Sequence, residues 1–162
     1  MTAAVVIDTN VGVVANGRYP KAGIECVESC VTALDDARRR VVLVDDGFHI
    51  FSEYRRHLSG SGQPGVGDAF FKWLWDNQGN REHCRQIGIT AVAGSDDDFE
   101  EFPGGPDLVD FDRGDRKFVA VALASGVSPA ILNASDTDWW TFRKPLENHG
   151  VHVTFLCPAL ME

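Results

Sequence analysis

The sequence predicts an α/β protein, a three-layer α/β/α sandwich around a central, mostly parallel sheet. Three observations carry that expectation. Short β-branched apolar runs recur at AAVVI, VVLV, AILN and VHVTFL. The stretches between several of them have helical spacing. Strand and helix alternate along the chain, the pattern that buries a parallel sheet between helices.

The first strand is AAVVI, which ends at Asp8. Thr9 and Asn10 follow, residues whose short polar side chains bond locally and turn a chain. A first helix is expected over 23–39, with Ile24, Val27, Val31 and Leu34 inward. The second strand, Val41 to Val44, leads into Asp45, a candidate helix N-cap. Phe48, Ile50, Phe51, Tyr54 and Leu58 then give a mixed helical pattern that carries Glu53 two turns in. The middle, from Ser59 to Gly105, has no motif that assigns it. Its SGSGQPGVG stretch is linker-like but too short to divide the chain. FFKWLWDN, over 70–77, has core-like helical spacing, although such aromatics also stack on bases in single-strand binders. SDDDFEEF, over 95–102, reads as a solvated acidic loop. A further helix opens at Asp115, with Phe118, Val119, Ala122 and Leu123 on one face and Gly126 as its stop. AILN forms the next strand, a short helical segment follows it, and VHVTFL, over 151–156, forms the last strand.

At 162 residues and 44% hydrophobic content the chain suits one domain, 1–162. A chain of this size buries roughly two-thirds of its unfolded surface. No apolar run reaches the ~20 residues of a membrane span, and no signal-like segment opens the sequence, so a cytoplasmic protein with no membrane partner is expected. The four cysteines, Cys26, Cys30, Cys84 and Cys157, show no C-x-x-C pair, and reduced thiols are expected. The formal charge of −9 argues against a general nucleic-acid coat. The histidines lack metal-ligand spacing, and Ser52 and Ser135 have no arranged base. A receiver-type reading of VVLVDD would need an Asp after a later strand, which IGITAVAG does not supply.

The acids carry more information. Asp8 and Asp136 follow apolar strands, Asp115 opens a helix, and Glu53 sits inside one. In open α/β sheets, ligands bind outside the carboxyl ends of strands, where a compact fold brings these four together. Converging carboxylates repel unless they are protonated or share a cation. Hard divalent ions such as Mg²⁺ or Mn²⁺ take oxygen ligands of this kind.

VIDTN, the Glu of FSEY, the helix-opening Asp of DRKFVAVALA and the SDTDW turn after a short strand, in this order, resemble the PIN-domain nucleases, above all small toxin-like ribonucleases. The resemblance spans nearly the whole chain. It implies a PIN-like fold and catalytic, metal-binding roles for Asp8, Glu53, Asp115 and Asp136, with Asp138 as a fifth metal ligand. Asp112, three residues before Asp115, is a rival for the third position. Asn10 and Ser135 would approach the substrate, and Arg116 and Lys117, beside Asp115, would hold a phosphate. The implied activity is Mg²⁺- or Mn²⁺-dependent endoribonuclease cleavage of single-stranded RNA by a water that the ions activate. A structure-specific DNA nuclease using the same acids and a non-catalytic PIN-fold binding module are the rivals. An antitoxin or other protein regulator, and a homodimer, are the partners the resemblance suggests.

Overall fold

The computed structural model describes residues 3–161, and among these, five strands form one all-parallel sheet in the order β3-β2-β1-β4-β5. The strands are β1 Ala4–Ile7, β2 Val41–Asp45, β3 Cys84–Ile87, β4 Ala130–Asn133 and β5 His152–Phe155. Val5 pairs with Val42 on one side and Ala130 on the other. The helices are α1 Thr9–Ala15, α2 Ile24–Ala37, α3 His49–His57, α4 Val66–Asp76, α5 Arg116–Ala124, α6 Thr137–Thr141 and α7 Arg143–Asn148. They cover the sheet as the outer layers of an α/β/α sandwich. The middle strands are buried on both faces and so carry unbroken apolar runs: every residue of β2, VVLVD, is buried.

The connections decide where a ligand can sit. From β1 the chain steps outward to β2 and β3, then returns to the other side of β1 for β4 and β5. The strand order therefore reverses between β1 and β4. A reversal opens a crevice at the carboxyl ends of those two strands, because the flanking connections leave on opposite faces. Asp8 follows β1, and Asn133 ends β4.

Several elements differ from the sequence expectation, each for a tertiary reason. Thr9 and Asn10 do not form a loop. They open α1, which Asp8 caps by accepting the Thr9 amide at 2.9 Å. Val11, Val14 and Ala15 then face the core, so the Val-rich run is helical by its packing rather than its propensity. The unassigned middle holds α4. A Cβ at Gly67 would collide with the carbonyl of Gly12, so the glycine lets α1 and α4 meet backbone to backbone. Asp68 fixes the start of that helix, accepting from the amides of Ser59 at 2.8 Å and Gly65 at 3.0 Å and from Asn16 Nδ2 at 2.9 Å. Burial pushes its pKa up, but these donors win and hold it below the usual value. β3 has only two apolar residues in four, as an exposed edge strand can.

The first expected helix, α2, turns a different face inward. Ile24 is 75% exposed, and Cys26, Cys30, Leu34 and Ala37 are buried. The acidic stretch 95–102 is not merely solvated, since Phe99 and Phe102 are buried and Asp98 pairs with Arg116 at 3.1 Å. The expectation of four reduced thiols is also corrected. Cys26 on α2 is bonded to Cys157, beyond β5, in a disulfide, while Cys30 and Cys84 are free and buried. Among the described residues no helix is long and apolar enough to cross a membrane.

Candidate metal centre

Asp8, Asp115 and Asp136 meet at the crevice between β1 and β4. One carboxylate oxygen from each lies within 4.8 Å of the others. Three different local rules deliver them. Asp8 is the last residue before α1 and only 3% exposed. Asp136 caps α6, accepting the Asp138 amide at 2.9 Å. Asp115 occupies the cap position of α5 but caps nothing, and its buried Oδ2 has no hydrogen-bond partner. A buried carboxylate oxygen left unpaired is costly, and this one belongs to the acid that joins the cluster.

The electrostatics follow from that geometry. Burial, then the charges of Asp115, Glu53 and Asp136, raise the Asp8 pKa well above the carboxylate range. Burial, then Asp136, Asp112 and Glu53, push Asp115 up to about 8, although Lys117 opposes them. Asp136 is raised as well, chiefly by burial. Without a counter-ion the cluster must hold protons that exposed carboxylates release at neutral pH. A hard divalent cation satisfies the same need, because it takes oxygen donors and accepts the orphaned Asp115 Oδ2. The donor set fits Mg²⁺ or Mn²⁺ and does not fit a soft ion.

The neighbouring residues orient the acids. Asn133, fully buried, donates its Nδ2 to Asp8 Oδ2 at 2.8 Å and accepts the Asp136 amide on Oδ1 at 3.0 Å. One amide thus ties two of the three acids together. Glu53 stands a step outside the trio. Thr9 Oγ1 donates to one of its oxygens, and Lys117 Nζ donates to the other at 2.7 Å. Asp138 also stays outside, accepting the Asp112 amide at 3.1 Å on Oδ2. Asp112 spends its own carboxylate on the Gly114 amide at 3.1 Å. Of the two rivals, Asp115 enters the cluster and Asp112 stays in the preceding loop.

The expected phosphate contacts fare differently. Arg116 is buried, and its guanidinium is engaged by the carbonyls of Phe111, Val109 and Leu108, by Asp98, and by the Phe102 ring. It fastens the 98–111 segment, which engages most of its N–H donors within the protein. Lys117 lies at the site, but its ammonium is held between Glu53 and the Gly114 carbonyl. Asn10 holds the Ala134 amide at 3.0 Å and, with Ser135, lines an open groove of about 360 Å³ beside Asp136. Tyr19 and Lys21 line the same groove, and no motif or spacing singles them out. Asn133 was equally hidden, since a polar residue closing AILN reads as a strand end.

No family model, curated protein or solved structure matches the chain. The site therefore rests on its own geometry.

Proposed function

We propose that this chain is a metal-dependent endoribonuclease of PIN type that cleaves single-stranded RNA with Mg²⁺ or Mn²⁺. The observation that carries the reading is the convergence of Asp8, Asp115 and Asp136 within 4.8 Å at the switch point of a parallel sheet, with a buried Asp115 oxygen left unpaired. Asp8, Asp115 and Asp136 would hold the ion. When bound, it lowers the pKa of water and offsets charge on the phosphate oxygens. Asn133 keeps Asp8 and Asp136 aimed at a common point. Thr9 and Lys117 fix Glu53 at the margin, where its carboxylate can accept a proton from the attacking water directly or through a second water. Lys117 keeps positive charge beside acids that would otherwise repel a phosphodiester. The groove of Asn10, Tyr19, Lys21 and Ser135 offers a path for the strand leaving Asp136, with an aromatic ring and an ammonium along it.

RNA is preferred to DNA only through the resemblance to small toxin-like PIN ribonucleases, which also supplies the antitoxin or other regulator and the homodimer as proposed partners. The test is one cleavage panel of single-stranded RNA, single-stranded DNA and flap or hairpin DNA, in Mn²⁺, Mg²⁺ and EDTA. RNA cleavage that needs the metal and is lost in Asp8→Asn is expected. Cleavage confined to structured DNA would replace the substrate, and activity equal in Asp8→Asn would remove the site.

A further inference from the structure

We propose that Cys26, Cys30 and Cys157 form a second metal site, selective for a thiophilic d¹⁰ cation such as Zn²⁺ or Cu⁺, which the chain fills when its disulfide is reduced. The inference is independent of the nuclease reading. The three sulfurs lie within 4.8 Å of one another, and all three residues are buried. Cys26 and Cys30 are one turn apart on α2 and so share a face. Cys157 meets them from the segment after β5, positioned by its amide, which donates to the Ala134 carbonyl at 3.0 Å. Two of these sulfurs form the disulfide and the third stands beside it. A structural cross-link alone gives no reason for that third sulfur.

Cys30 is a poor nucleophile where it stands, since burial pushes its thiol up to about 12. Cys84, pushed up to about 11 by burial too, lies outside the cluster. Three thiols in an apolar site become thiolates together only when a cation offsets their charge. Sulfur donors select Zn²⁺ and Cu⁺ over Mg²⁺ and Mn²⁺, so this site and the carboxylates draw on different ions. The chemistry balances with a dithiol as reductant. It gives two electrons and two protons, the Cys26–Cys157 bond breaks to two thiols, and the dithiol closes to its own disulfide. The cation then displaces up to one proton from each of the three thiols.

The site has a structural consequence. Cys26 and Cys157 are 131 positions apart, and a metal would keep α2 fastened to the carboxyl-terminal segment after the covalent bond is lost. That segment backs the acidic site, for the Leu156 amide donates to the Asn133 carbonyl at 2.8 Å.

The experiment uses the whole chain, reduced with a phosphine, desalted without oxygen and titrated with Co²⁺ in excess Mg²⁺, so that oxygen donors are offered a harder ion. A sulfur-to-cobalt charge-transfer band that saturates at one ion per chain and is bleached by Zn²⁺ or Cu⁺ is expected. Cys84→Ser should retain the band, and Cys30→Ala should weaken binding at least tenfold. Oxidised Cys30→Ala keeps the disulfide, so an unchanged near-ultraviolet circular dichroism spectrum separates loss of the ligand from loss of the fold. If that variant is misfolded, Cys157→Ser is read in its place. A reduced wild-type chain without the charge-transfer band, or a band equally strong in Cys30→Ala, overturns the proposal.

Discussion

Replacing Asp115 with asparagine should stabilise the metal-free protein and destabilise the metal-bound one. Asp115 is 8% exposed, its Oδ2 has no hydrogen bond, and its pKa stands at about 8 against an ordinary 3.8. Because the folded value is the higher, the native state keeps a proton that the unfolded chain releases. Stability from this group is fully present below about pH 4 and is lost as pH rises toward 8. The interval from 3.8 to pH 7, at about 1.4 kcal/mol per pH unit, costs the metal-free fold on the order of 4 kcal/mol at neutral pH. Asparagine needs no proton. Neutralising Asp115 also relieves Asp8, whereas the new amide must find partners of its own, so a net gain of about 1–4 kcal/mol is expected in EDTA at pH 7. In a protein of this size, at about 2–4 °C per kcal/mol, that is a rise in Tm of about 2–16 °C. At pH 4 the gain should nearly vanish. With Mn²⁺ at one thousand times its Kd, the wild type gains about 4.1 kcal/mol and the variant little, so the order reverses. Thermal unfolding at pH 4 and pH 7, with EDTA or Mn²⁺, reads all four corners. A variant less stable than wild type in EDTA at both pH values would refute the repulsive cluster.

Other substitutions separate the parts of the site. Asn133→Ala leaves Asp8 and the Asp136 amide each short of a partner, and should cost about 1–3 kcal/mol in urea unfolding and weaken Mn²⁺ binding about 10–100-fold by calorimetry. Arg116→Met should cost about 1–3 kcal/mol, because it strips buried carbonyls of their donor. RNA affinity of the folded fraction should not change, and a selective loss of affinity would restore Arg116 as a phosphate contact. Lys21→Ala should weaken RNA binding but not Mn²⁺ binding, and the difference should shrink as salt rises. An effect independent of salt would take the groove out of the substrate path. Gly67→Ala should destabilise by about 1–3 kcal/mol through overpacking against α1, and a neutral result would mean that α1 and α4 separate freely.

The sequence exposes the acids because strand ends and helix starts leave local marks. Asp8 and Asp136 close apolar runs and Asp115 opens one, so their common edge follows from the alternation of strand and helix. Asn133 leaves no such mark, as its role exists only once β1 and β4 lie side by side. Arg116 sits beside Asp115 in the sequence, yet the first turn of α5 carries the two side chains apart and sends the guanidinium toward 108–111. α1 and the first turn of α4 were hidden for a related reason, although the helical spacing of 70–77 marks the rest of α4. Valines in one and glycines at the start of the other oppose helix by propensity, and the close contact of the two helices decides the matter. The disulfide joins positions 131 apart, a pairing that spacing alone does not specify. Asp45 shows the opposite case. The sequence marks it as a helix N-cap; it ends β2 and the cap position of α3 falls at Phe48, yet its carboxylate still accepts the first amides of α3, those of His49 at 2.9 Å and Ile50 at 2.8 Å.

The most direct measurement is a Mn²⁺ titration followed by electron paramagnetic resonance, in which the sextet of free Mn²⁺ disappears on binding. The wild-type chain should deplete that signal saturably, and Mg²⁺ should restore it. An Asp8→Asn, Asp115→Asn double variant, folded by circular dichroism, should leave the signal at its free intensity. Equal depletion by the double variant would place the ion elsewhere, and no depletion by the wild type would mean that the three aspartates hold protons and not a metal.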